Sequence, residues 1–102
     1  MIVEILYVDD CPGHARLLPT VQRLAELAGA ELRQQRIRNS REAERERFLG
    51  SPTVRVNGRD VEPGASARTD YGLKCRIYRS VALGQASVPP ERWIRAALGD
   101  DG

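Results

Sequence analysis

The chain has little of what most specialised small proteins are built from. Two cysteines in 102 residues are too few for a disulfide scaffold, so each thiol is catalytic, ligating or incidental. No apolar run approaches the ~20 residues that span a bilayer. The N-terminus also lacks a basic segment leading into an apolar stretch and a cleavage site, so a cytoplasmic protein without membrane contact is expected. There is no block of like charge. The net charge is only +2, and the 16 basic residues, nearly all Arg, are interspersed with Glu. With no arginine-aromatic platform and no recognisable nucleic-acid module, no nucleic-acid partner is expected. Neither an internal repeat nor a low-complexity stretch is visible. A hydrophobic content of 41% suits one folded domain over residues 1–102 with a modest core.

What is present is periodic. Residues 2–8 (IVEILYV) are apolar and β-rich and read as a buried central strand. From Pro12 the period becomes helical, with Leu17, Leu18, Val21, Leu24, Ala25 and Ala28 on one stripe. Gly29 is the stop and Pro19 an internal kink. A second strand is expected over residues 31–37. Asn39 with Glu42 resembles a capping box, opening a charged helix that buries Ala43, Phe48 and Leu49 and ends near Leu49-Gly50. Thr53 to Val56 alternates, Asn57-Gly58 is a hairpin turn, and residues 59–62 form the return strand. Pro63 to Ala67 reads as loop. Asp70 to Val81 fits a strand, a loop or a short helix. Pro89-Pro90-Glu91 starts a last helix with Trp93, Ile94, Ala97 and Leu98 on its buried face.

Two places carry chemistry. Cys11-Pro12-Gly13-His14 sits where the first strand gives way to the first helix, and a helix N-terminus favours a thiolate. Asp9 and Asp10 oppose that, with the helix terminus expected to win. His14, one turn along, could add charge or a hydrogen bond, or be a surface residue. Forty residues on, Gly50-Ser51-Pro52-Thr53 leads into the third strand.

This order, with Cys11 opening a helix, Pro19 eight residues later and Ser51-Pro52-Thr53 before the third strand, resembles the thioredoxin fold. The stretch from Phe48 to Val61 is also similar to small bacterial thioredoxin-like proteins, some labelled alkylmercury lyase or mercury-resistance related. The resemblance implies an α/β three-layer fold with a mixed four-stranded sheet, in the order β-α-β-α-β-β-α. Residues 63–88 would form an insertion before the last helix. It also implies a cis Pro52, leaving the Ser51 backbone free to pair with an extended peptide or a glutathione-like ligand beside the thiol.

The motif departs from the family at His14, which stands where a dithiol enzyme has its second cysteine and cannot resolve a mixed disulfide. In the implied topology the insertion leaves the sheet beside Cys11, which makes Cys75 a candidate resolving thiol. Arg76 and Arg79 beside it could attract an anionic thiol ligand. The alternative is a core cysteine alternating with Leu73 and Ile77. The expected site is thus Cys11, His14 and Cys75 for the chemistry, with Ser51, Pro52 and Arg76 for the substrate. The expected partner is a disulfide-containing protein or a low-molecular-weight thiol, and no cofactor is required.

Two other readings stay open. Cys11 and Cys75 could bind a soft cation such as Hg(II), Cu(I) or Zn(II), with Asp9, Asp10 or Asp70 as proton donor for C–Hg cleavage. Alternatively, the fold is kept as a non-catalytic binding module.

Overall fold

The computed structural model describes residues 1–81 and 84–99. Residues 82 and 83 of the expected insertion and residues 100–102 of the expected domain lie outside the described residues. Among the described residues there are a four-stranded mixed sheet, three helices and a separate two-stranded hairpin.

The central strand is β1 (Ile2–Tyr7). It pairs in parallel with β2 (Glu31–Arg36) and antiparallel with β3 (Thr53–Val56), and β4 (Arg59–Asp60) completes the order β2-β1-β3-β4. Because β1 has neighbours on both edges and helices on both faces, nearly every position in it is apolar. Val3 and Ile5 point to one face, where they pack with Leu17, Val21 and Leu24 of α1 (Pro12–Ala28) and Ile94 of α3 (Glu91–Ala97). Leu6 points to the other, against Ile37, Phe48 and Ala43 of α2 (Ser40–Arg45). The strand β2 lies at the sheet edge, where Leu32 alone of its residues joins the core.

Local signals explain the element ends. Pro12 takes the first turn of α1, where its missing N–H costs nothing, and Gly29 closes the helix at φ +68°. Asn39 caps α2 by accepting from the Glu42 N–H at 2.9 Å. The Glu42 carboxylate reaches back to the Arg38 N–H at 2.7 Å. Asn57 and Gly58, at φ +49° and +83°, form the hairpin turn that their pairing predicts.

Two boundaries and one buried face differ from expectation. Helix α2 ends at Arg45 rather than near Gly50. The Phe48 N–H returns to the Ala43 carbonyl (2.8 Å) and the Arg47 N–H to that of Glu44 (3.1 Å). This closure swings Phe48 into the core at 0% exposure. The strand β4 stops at Asp60, whose carboxylate accepts the Glu62 N–H at 2.9 Å. In α3, Ile94 and Leu98 are buried one turn apart, but Ala97 is exposed because the short helix rests on that narrower line.

After β4 the chain makes a 3-10 turn at Ala65–Ala67, bends at residues 72–74 before Cys75, and forms the hairpin of β5 (Tyr78–Ser80) and β6 (Gly84–Ala86). Among the described residues no helix is long and apolar enough to cross a membrane.

Candidate functional site

Cys11 is the N-cap residue of α1, with an extended backbone (φ −90°, ψ 111°) and no capping hydrogen bond from its side chain. It is half-buried, and both cysteines are free thiols. Two residues on, Gly13 is buried. A β-carbon there would lie 3.0 Å from the Ser87 carbonyl oxygen and 3.1 Å from Pro52 Cδ. Glycine is what lets the cysteine-bearing end of α1 seat directly on Pro52.

The Ser51–Pro52 peptide is cis. Ser51 is 1% exposed, and its hydroxyl accepts the Val8 N–H at 3.1 Å, tying the loop to the strand end that leads into Cys11. The expected free pairing edge is not there. The Ser51 N–H donates to the Lys74 carbonyl at 2.8 Å, and its C=O accepts from the Arg76 N–H at 3.0 Å. Together these form a parallel bridge between Ser51 and Cys75. The chain's own residues 74–76 therefore fill the position expected for a ligand, and Ser51 and Pro52 are both buried beneath them. The fit is close. Gly50 sits at φ +131°, and a β-carbon there would meet Arg76 Cα at 3.1 Å.

Residues 73–78 do alternate, but with the opposite faces in and out from those a core cysteine requires. Leu73, Cys75 and Ile77 are exposed, whereas Arg76 and Tyr78 are buried. Arg76, expected beside a substrate, is buried and bonded within the chain. Its guanidinium forks onto Asp60 at 2.7 and 3.0 Å, and it also donates to Glu62 at 3.2 Å and to the Thr53 hydroxyl at 2.9 Å. It stacks 4.5 Å from the centre of the Tyr78 ring. Burial alone would lower its pKa, but the Asp60 hydrogen bond and the surrounding negative charge outweigh burial and raise it. The Nε atom is buried without a partner among the described residues. Tyr78 donates to the Pro52 carbonyl, and burial pushes its phenol well above the ordinary range, against the opposing charge of Arg76.

His14 is occupied elsewhere. Its ring stacks on Tyr7 at 3.9 Å and 5°, and its Nε2 lies 2.7 Å from Gln34 Oε1. Of the candidate proton donors, Asp9 pairs with Arg36 at 3.4 Å. Asp70 is held ionised, well below the usual carboxylate range, by hydrogen bonds first from Arg68 and then from Lys74. Among the described residues no three His, Cys, Asp or Glu side chains gather as metal ligands.

One loop thus borders both cysteines. Pro52 touches Gly13 of the Cys11 motif, and Ser51 bridges Cys75. His14 and Arg76 belong to other contacts. Sequence reasoning missed Asp60, Glu62, Thr53 and Tyr78. The available signal was the pair of carboxylates two residues apart, Asp60 at the end of β4 and Glu62 just beyond it, matched by Arg76 and Tyr78 at the same spacing. No protein-family model, curated protein or solved structure matches the chain.

Proposed function

We propose that this chain is a thioredoxin-like thiol protein in which Cys11 reacts with a disulfide or thiol ligand and Cys75 is its partner within the chain. The fold reading is supported by the sheet order β2-β1-β3-β4, by α1 and α3 on one face with α2 on the other, and by the Pro52 loop against the start of α1. The observation that carries the chemistry is the Ser51–Cys75 bridge, which holds an exposed thiol beside that loop. A cytoplasmic setting, where thiols stay reduced, suits two free cysteines.

The exchange balances within the pair. The Cys11 thiolate attacks one sulfur of a partner disulfide and releases the other as a thiol, leaving a mixed disulfide. The Cys75 thiolate then attacks the Cys11 sulfur and expels the second partner thiol. The partner gains two electrons and two protons, and the chain keeps a Cys11–Cys75 disulfide.

Oxidation by glutathione disulfide, followed by non-reducing peptide mapping, tests this. The wild type should form the Cys11–Cys75 disulfide, and Cys75→Ser should instead accumulate glutathione on Cys11. Independent glutathione adducts on both cysteines, with no internal disulfide, would sink the reading.

A second reading follows from the same two free thiols. Linear coordination by two sulfurs suits a soft cation such as Hg(II), since thiolates are soft ligands. Thiolate-to-metal absorbance on Hg(II) titration, lost in either single Cys→Ser variant, would favour it. A non-catalytic binding module is a third reading, favoured by the commitments of His14 and of the Ser51 backbone. It requires partner binding to survive Cys11→Ser.

A further inference from the structure

A cavity of about 370 Å³ opens between the end of α2, the β3–β4 hairpin and the 3-10 turn, with Arg47, Arg55, Arg59, Arg68 and Tyr71 in its lining. Its carboxylates are already spoken for. Asp60 is forked by Arg76, Glu62 takes Arg76 and Arg68, and Glu46 lies 3.8 Å from Arg45. Arg68 is in turn neutralised by Glu62 and Asp70.

Three guanidinium charges are left. Arg55 donates from Nη2 to the main-chain carbonyls of Glu46 and Arg47, which are neutral acceptors, and it forms no ion pair among the described residues. Arg47 and Arg59 are exposed, and neither has an ion pair among the described residues.

The backbone supplies a second, independent observation. Arg47 follows the C-cap of α2 at φ +54°. It is the left-handed position in a helix closure where glycine is strongly favoured, because a β-carbon there is strained. Nothing among the described contacts of its side chain offsets that strain. Arg55, by bonding the Glu46 and Arg47 carbonyls, fixes the turn that carries Arg47 beside the cavity. Backbone strain of this kind recurs at ligand clamps, where the surrounding structure holds it in place.

We infer that this cavity binds a small organic phosphate, independently of either cysteine. Three guanidinium groups arriving from separate segments suit the several oxygens of a phosphate dianion. A planar carboxylate would be satisfied by one arginine fork. The volume falls in the range of small-molecule pockets and leaves room for an organic part against Tyr71.

Calorimetric titration of the full chain with glucose 6-phosphate, inorganic phosphate and gluconate tests the proposal. Glucose 6-phosphate should bind, inorganic phosphate more weakly, and gluconate not at all. Arg47→Gly should raise the melting temperature while weakening glucose 6-phosphate binding about tenfold or more, the equivalent of one lost charged contact. Arg59→Gln should weaken binding in the same way, and Arg41→Gln, outside the cavity, should change neither property. Wild-type affinity in both Arg47→Gly and Arg59→Gln would overturn the proposal. So would equal affinity for inorganic phosphate or gluconate, or absence of glucose 6-phosphate binding to the wild type.

Discussion

Ser51 and Cys75 lie side by side in a parallel bridge, with Ser51 donating to the Lys74 carbonyl at 2.8 Å and accepting from the Arg76 N–H at 3.0 Å. In parallel pairing, the residue opposite turns its own N–H and C=O away from its partner. The amides of Ser51 and Arg76 should therefore exchange slowly with deuterium, whereas that of Cys75 exchanges faster. NMR-detected exchange reads all three, and equal protection of Cys75 would contradict the bridge.

Gly13→Ala should destabilise the protein by about 1–3 kcal/mol, the range for overpacking. Elsewhere in a helix the same change gains roughly 1 kcal/mol. The reversal of sign arises because the new methyl would meet the Ser87 carbonyl oxygen and Pro52 Cδ at 3.0 and 3.1 Å. Urea unfolding decides it, and a stability gain would show that this contact yields easily.

Arg76→Ala should cost about 3–5 kcal/mol, because removing one partner of a buried ion pair strands the others. Here two carboxylates, Asp60 and Glu62, are left at 14% and 16% side-chain exposure. Chemical denaturation gives the loss, and the exchange protection of Ser51 should fall with it. A change below ~1 kcal/mol would mean that water solvates those carboxylates freely.

Tyr78→Phe should cost about 1–2 kcal/mol by leaving the Pro52 carbonyl without its donor. It should also change the alkaline limb. Burial raises the folded pKa of this phenol above its usual value of about 10. The neutral form is thus favoured by folding. Its contribution is fully present below pH ~10 and is lost as pH rises toward the folded value. Thermal melts at rising pH should show a shallower decline in the variant than in the wild type.

The acid limb runs the other way. Glu42 is held below the ordinary carboxylate range, first by the Arg38 side-chain hydrogen bond and then by the Arg38 N–H. Glu91 is lowered chiefly by Arg95. A depressed folded pKa contributes stability above the unfolded value, near 4.3 for Glu, and loses it as pH falls through the folded value. Melting temperature should hold at neutral pH and drop below pH ~4. Added salt should flatten the drop, because the partners are exposed. Glu42→Gln should remove part of the slope.

Much of the frame was legible because local chemistry and long-range packing agree in it. The apolar run of β1, the Asn39 cap, the Asn57-Gly58 turn and the Gly29 stop each act within a few residues. The misreadings share a different cause. Which face of residues 73–78 turns inward depends on Asp60 and Glu62, well over ten residues upstream, and alternation alone favours the apolar side. Spacing along the helix groups His14 with Cys11, yet its partners Tyr7 and Gln34 arrive from two strands. The end of α2 hinged on Phe48 entering the core through a left-handed arginine, a position where composition suggests glycine.

The Arg76 network also bears on how far the chain can be shortened. Residues 63–81 look like an optional addition between a finished sheet and its last helix. Splicing β4 straight onto α3 would remove the cation shared by Asp60 and Glu62, strip both hydrogen bonds from the Ser51 main chain, and uncover Pro52. The excision would take out a supporting wall, so the stretch through Tyr78 is as much a part of the folded frame as the sheet and α3 are.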